Sequence, residues 1–353
     1  MYCARPGPGE ASTGGTIAGH EVPRPVHALF QRRVAGDDAL LELAGLRFAQ
    51  MGVAAEAYAS TPDELEHVLR FVPPHPRLPM VHLSRGVNVL HEQDRALVGE
   101  FARRFTGRVR GLVVHDKREM GKQTGRLLAV MRELDARLSQ LHNGPLVFLE
   151  YAAGLDRGWF VEVAEQLRDA GRVSCCIDVG HVGLRQATAT FARRHPGLDL
   201  KKLGTSDGRL PGLAADVQDA VDSALPHVLE VTAAIGRLGK PVHFHLHDAH
   251  PLVPGLRDHF SFLARLPVPF SCHGRRSLPM MYGPDGLAAI VSAASGTCPD
   301  GVSFTLEIHQ VEGRLPLGDA AGLFPHWRDT TNAERMNYWL SVLSDNALLI
   351  PAG

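Results

Sequence analysis

The sequence predicts a (β/α)8 barrel of the TIM type. Three observations lead there: short apolar runs alternate with amphipathic helical stretches, the runs are apolar on both faces as in helix-covered parallel sheets, and they number eight. Residues 1–22 open Met-Tyr-Cys-Ala-Arg-Pro-Gly-Pro-Gly and lack apolar periodicity, so they read as a flexible leader, with a short first strand near Thr16-Ile17-Ala18. The other strands are expected at 53–58, 80–83, 111–115, 146–150, 173–178, 241–247 and 302–307. Between the first two of these, Ser60-Thr61-Pro62-Asp63-Glu64 announces a helix: Thr61 caps, Pro62 fits the first turn and Glu64 closes a capping box. Residues 183–217 and 248–282 read as long connections on the catalytic face, candidates for lid or substrate loops. The tail 331–348 reads as a helix that packs on the barrel's flank or on a neighbouring subunit.

At 353 residues the chain suits one barrel, 23–353, as a single catalytic domain. Lys+Arg 37 against Asp+Glu 38 leaves a formal charge of -1, which argues against a nucleic-acid partner and for a small-molecule substrate. Five cysteines, with Cys175 and Cys176 adjacent, fit neither a disulfide framework nor a zinc ribbon, so a reducing cytoplasm is expected. No apolar run approaches the roughly 18 to 20 residues of a membrane span, and no signal peptide is legible. The unusual count is His 19, because many of these histidines fall at the ends of expected strands.

Chemistry concentrates at those ends. Apolar strands deliver Glu150, Asp178 and Glu307 at their C-termini, where barrel active sites are assembled. A period of two places Val242, Phe244 and Leu246 on one face and His243, His245 and His247 on the other. Singly, a strand-end carboxylate serves an ion pair as often as a metal. Together, three carboxylates and a histidine ladder at one end of the barrel call for a cation, because bare carboxylates brought together repel one another.

These residues resemble the xylose isomerase-like barrels, which include sugar and sugar-phosphate isomerases and epimerases as well as the endonuclease IV type of apurinic-site nuclease. The likeness covers roughly residues 50–310. Cys176-Ile177-Asp178-Val179-Gly180-His181 is similar to the family's Asp-x-x-His signature, Glu150-Tyr151-Ala152-Ala153-Gly154 to its Glu-x-x-Ala-Gly turn, and His243-Phe244-His245-Leu246 to the epimerases' His-x-His strand. The resemblance implies Glu150, Asp178, His245 and Glu307 as metal ligands. It implies a divalent-metal isomerase or epimerase of a sugar, sugar phosphate or keto-polyol, in which Glu150 and Glu307 carry the proton and His181 steadies the oxyanion. Mn²⁺, Mg²⁺ or Co²⁺ suits one such site. Barrels of this family commonly form homo-oligomers.

The nuclease branch implies more metals, Zn or Fe. His82 with Asn88, and His115, match ligand positions there, His181 with the Asp258-His259 pair would supply a third site, and His247 is a further ligand or substrate residue. His82 and His115 serve equally well for binding substrate hydroxyls. Arg257-Asp258-His259 stands where the nuclease has Asp-x-His, and Asp116-Lys117 where it has Pro-Gly, departures that weigh against DNA. A multi-metal phosphodiesterase and a multinuclear iron oxidative enzyme are thus the alternatives to the isomerase, and a barrel without catalysis is the third reading. Arg275 and Arg276 form either an anion clamp or a solvated turn.

Overall fold

The computed structural model describes residues 26–30, 36–152, 154–204, 206–253, 259–272, 275–298, 301–309 and 333–350. Eight parallel strands close a barrel: β1 (Val26–Phe30), β2 (Ala54–Ala59), β3 (Met80–Leu83), β4 (Gly111–His115), β5 (Leu146–Tyr151), β6 (Val173–Asp178), β7 (Val242–Leu246) and β10 (Ser303–Leu306). β1 and β10 complete the ring with Val26 opposite Phe304. The barrel's first strand is therefore at Val26–Phe30; Thr16–Ala18 and the expected leader lie outside the described residues.

Alternation along each strand sorts the side chains. Val81, Leu112, Val147, Ile177, Phe244 and Phe304 belong to the apolar layer beneath the helices, while Met80, Val113, Phe148 and Cys176 form a separate cluster. The helices are α1 (Asp38–Met51), α2 (Pro62–Leu69), α3 (Glu92–Arg104), α4 (Thr124–Ser139), α5 (Arg157–Gln166), α6 (Val179–Arg194), α7 (Leu210–Asp222), α8 (Ala224–Gly236), α9 (Gly283–Thr297) and α10 (Ala333–Leu348). The capping box forms as expected: Glu64 N–H donates to Thr61 Oγ1 at 3.2 Å, and Glu64 Oε2 accepts from Ser60 N–H at 2.7 Å.

Both long connections carry regular structure. Residues 183–217 are carried largely by α6 and α7, whose buried residues Ala187, Phe191, Leu210, Ala214 and Val217 supply the apolar period that an extended connection lacks. Residues 248–282 contain an antiparallel hairpin, β8 (Arg265–Cys272) and β9 (Arg275–Pro279). Arg275 and Arg276 open β9 instead of sitting in a free turn.

Buried carboxylates fasten the mouth. Asp116 accepts from the N–H groups of Ala152, Gly154 and Leu155 at 3.2, 3.0 and 2.6 Å, fixing the chain after β5. Asp248 does the same for Ala249, Tyr282 and Gly283 ahead of α9. α10 lies on the barrel's flank, where Trp339 Nε1–H donates to Ile308 O at 2.7 Å and Asn346 Oδ1 accepts from Phe262 N–H at 2.9 Å. No helix of the described residues is long and apolar enough to cross a membrane.

Candidate metal centre

The strand ends meet at the C-terminal mouth of the barrel. Glu150 and Glu307 are buried there, the first within 2.7 Å of His115 Nδ1, 3.0 Å of His245 Nδ1 and 3.6 Å of His82 Nε2. Glu307 stands 3.1 Å from His245 Nδ1 and 3.5 Å from His259 Nε2, and it accepts a hydrogen bond from the Tyr58 hydroxyl. Asp178 lies 2.9 Å from His247 Nε2 and 3.6 Å from His181 Nε2.

Donor and acceptor bookkeeping shows why this arrangement fits cations. His82 gives its Nδ1–H to Leu83 O at 3.1 Å, and burial holds its pKa below the ordinary value despite Glu150. Its Nε2 is then a lone pair pointed at a carboxylate oxygen, two acceptors face to face. His245 is placed in the same way: Nε2 is 2.9 Å from Glu56 Oε1, so Nδ1 has at most one proton for two carboxylates, Glu150 and Glu307. His82 Nε2, His115 Nε2, Glu150 Oε2 and Glu307 Oε2 are buried without a hydrogen-bond partner. The 2.7 Å approach of His115 Nδ1 leaves Glu150 Oε2 without a hydrogen bond. Two donors sharing one ion at about 2.0–2.2 Å stand about 2.8–3.6 Å apart, close to the spacing seen throughout the mouth.

Charge points the same way. Burial works to raise the carboxyl groups of Glu56, Glu150 and Glu307, but the neighbouring imidazoles overcome it and hold all three well below the usual carboxylate range. For Asp178, burial is likewise outweighed by His181 and His247. Burial would lower His245; Cys176, Glu56, Glu307 and Glu150 together keep it well above an ordinary histidine. Among the described residues no lysine or arginine pairs with these four carboxylates, so imidazoles and any bound cation carry the compensation.

The donors form adjacent groups. His82, Glu150, His245 and Glu307 converge on one point, and Asp178, His181, His247 and His259 on another; His259, Glu307 and His309 form a link between them. The second group is set up by helix capping. Asp178 ends β6 and caps α6, accepting His181 N–H at 2.8 Å, which turns the His181 ring back toward the carboxylate. His247 Nδ1 accepts His259 N–H at 2.8 Å, and Nε2 lies 2.9 Å from Asp178 Oδ1. The His247 ring comes so close to α6 that a Cβ at position 180 would sit 1.9 Å from it, so glycine is required there by space.

Of the four ligands expected for a single ion, Glu150, His245 and Glu307 fall in the first group and Asp178 in the second, beside His245 in the strand register. His82, His115, His181, His247 and His259 are all at the mouth. The Asn88 side chain accepts Leu90 N–H and donates to Glu119, shaping the loop after β3. Asp258 lies outside the described residues. Sequence reasoning passed over Glu56 and Tyr58, although their spacing of two in Ala54-Ala55-Glu56-Ala57-Tyr58-Ala59 puts both on one face of β2.

No family model matches the chain, and no curated protein matches it. Among solved structures it is similar to the carboxyl transferase domain of Rhizobium etli pyruvate carboxylase with pyruvate, at 12% identity and a TM-score of 0.41, covering 94% of this chain and 49% of that one. The complete multifunctional pyruvate carboxylase from Rhizobium etli gives 13% identity and a TM-score of 0.41 over 93% of this chain and 28% of that one. The chain spans about half the length of the carboxyl transferase domain, 48% in the first such structure. At this distance the likeness assigns no role to any residue of the mouth.

Proposed function

We propose that this protein is a multinuclear metal-dependent enzyme that hydrolyses a phosphoester of a small-molecule substrate at the mouth of its barrel. The observation that carries the reading is the division of the donors into two groups joined through Glu307 and His259. A single-metal isomerase needs Glu150, Asp178, His245 and Glu307 on one ion, with the two glutamates free to carry protons. Here Asp178 groups with His181, His247 and His259, and both glutamates are enclosed by imidazoles. Divalent cations held by these groups would supply Lewis acidity toward a phosphoryl oxygen and would acidify a water, and a mixed imidazole and carboxylate set suits Zn²⁺ or iron.

The chain's own groups divide the remaining work. Burial, then the Glu307 charge, raises the Tyr58 hydroxyl well above an ordinary tyrosine, so it stays protonated and holds Glu307 in place. The His181 side chain is 20% exposed where those of His82, His115, His245 and His247 are 0–7%. Placed at the first turn of α6 and left outside the ligand set, it is suited to giving a proton to a leaving oxygen.

The test is hydrolysis of chromogenic phosphomonoesters and phosphodiesters by protein loaded with Zn²⁺ or Fe²⁺. Phosphate or alcohol release that falls in kcat far more than it changes KM in His181→Gln supports the proposal. Equilibration of a ketose–aldose pair by protein carrying one Mn²⁺, Mg²⁺ or Co²⁺, without phosphoester cleavage, returns the reading to the isomerase. Oxygen consumption by the iron-loaded protein without cleavage transfers it to oxidative chemistry.

A further inference from the structure

We infer that Glu56, a carboxylate inside the barrel below the mouth, is a positioning residue that fixes the orientation and tautomer of His245 so that Nδ1 is presented to a cation. The inference rests on the metal-binding reading above and adds a residue to it. Glu56 is fully buried on β2, between alanines that take the other face. Its Oε1 lies 2.9 Å from His245 Nε2; its Oε2 lies 3.0 Å from His243 Nε2 and 2.5 Å from Thr305 Oγ1. His243 is fixed in turn by Ser303 Oγ at 2.8 Å from Nδ1.

Both oxygens of Glu56 are thus engaged, so it is not itself a ligand. An ionised carboxylate only accepts, which keeps a proton on His245 Nε2 whatever Nδ1 carries, and turns Nδ1 to the mouth. Nδ1 is the nitrogen that Glu150 and Glu307 approach at 3.0 and 3.1 Å. Packing explains neither feature. An apolar residue would fill the space without burying a charge, and His245 would then be free to turn either nitrogen upward. Histidines that bind metals characteristically donate their other N–H to a carboxylate or carbonyl, and loss of that partner typically costs 10–100-fold in metal affinity.

The experiment compares the whole wild-type protein with Glu56→Gln, each stripped of metal and titrated with Zn²⁺ against a chromophoric chelator. Metal-free unfolding and ¹⁵N NMR of the histidine rings are recorded in parallel. The inference predicts that one ion is held about 10–100-fold more weakly in Glu56→Gln while the other keeps its affinity, in a variant that still unfolds cooperatively. In the metal-loaded wild type, His245 is protonated at Nε2 and coordinated at Nδ1. If Glu56→Gln does not fold, the wild-type spectrum decides alone: protonation at Nδ1 overturns the inference, and protonation at Nε2 sustains it. Wild-type affinity for every ion in a folded Glu56→Gln also overturns it and leaves the metal centre standing. Failure of the wild type to take up any ion removes the metal centre and the inference with it.

Discussion

Replacing Gly180 with alanine separates helix propensity from site geometry, because the two predict opposite signs. The added Cβ would stand 1.9, 2.3 and 2.7 Å from Cε1, Nδ1 and Nε2 of His247. No rotamer of alanine relieves this, so the imidazole must retreat by roughly 1.5 Å to reach ordinary contact. That breaks the 2.9 Å bond to Asp178 and the 2.8 Å bond from His259 N–H, one charge-assisted and one neutral, at a cost of about 2–4 kcal/mol. Propensity returns about 0.5–1 kcal/mol for glycine to alanine in a helix. The net expectation is a metal-free protein destabilised by about 1–3 kcal/mol in urea, with weakened uptake of the ion held near Asp178. A variant as stable as the wild type or more so, with its metal content intact, would refute the reasoning.

Two further predictions are open to simple tests. Burial lowers the pKa of His250 to about 3, and Leu252 N–H donates to its Nδ1 at 3.2 Å, so it folds neutral. Below pH 6.5 the unfolded chain binds a proton that the native state refuses, so stability falls as pH drops from 6.5 toward 3, by about 1.4 kcal/mol per unit. Unfolding at pH 7 and 5.5 should show this loss, and His250→Asn should remove its share; an unchanged difference between the two pH values would contradict it. Tyr58→Phe takes a donor from the buried Glu307 carboxylate and should cost about 1.5–3 kcal/mol in the metal-free protein, read by urea unfolding. A loss within experimental error would show that Glu307 does not depend on that hydroxyl.

Much of the barrel was legible because a helix-covered parallel strand must be apolar on both faces, which leaves a short, recognisable run. Met80–Leu83, Gly111–His115 and Val173–Asp178 fall where the runs place them. The strand-end carboxylates were visible for the same reason, each being the first charge after an apolar stretch. Val26–Phe30 was obscured by the prolines at 23 and 25, which break the apolar run just ahead of it. Glu56 was hidden differently: it lies inside a strand, where a charge argues against burial until partners from β7 and β10 are known. Its partners are more than 180 residues away, with His243 the nearer at a separation of 187. The division of donors into two groups was equally out of reach, since spacing along a chain does not say which strand ends share a point in space.

The central claim is that the mouth holds more than one ion, and elemental analysis of purified protein tests it most directly, repeated on His82→Ala and Asp178→Asn. Two or more Zn or Fe per chain, one lost in each variant, is the predicted result. A single ion per chain, lost with Asp178 and indifferent to His82, would contradict it.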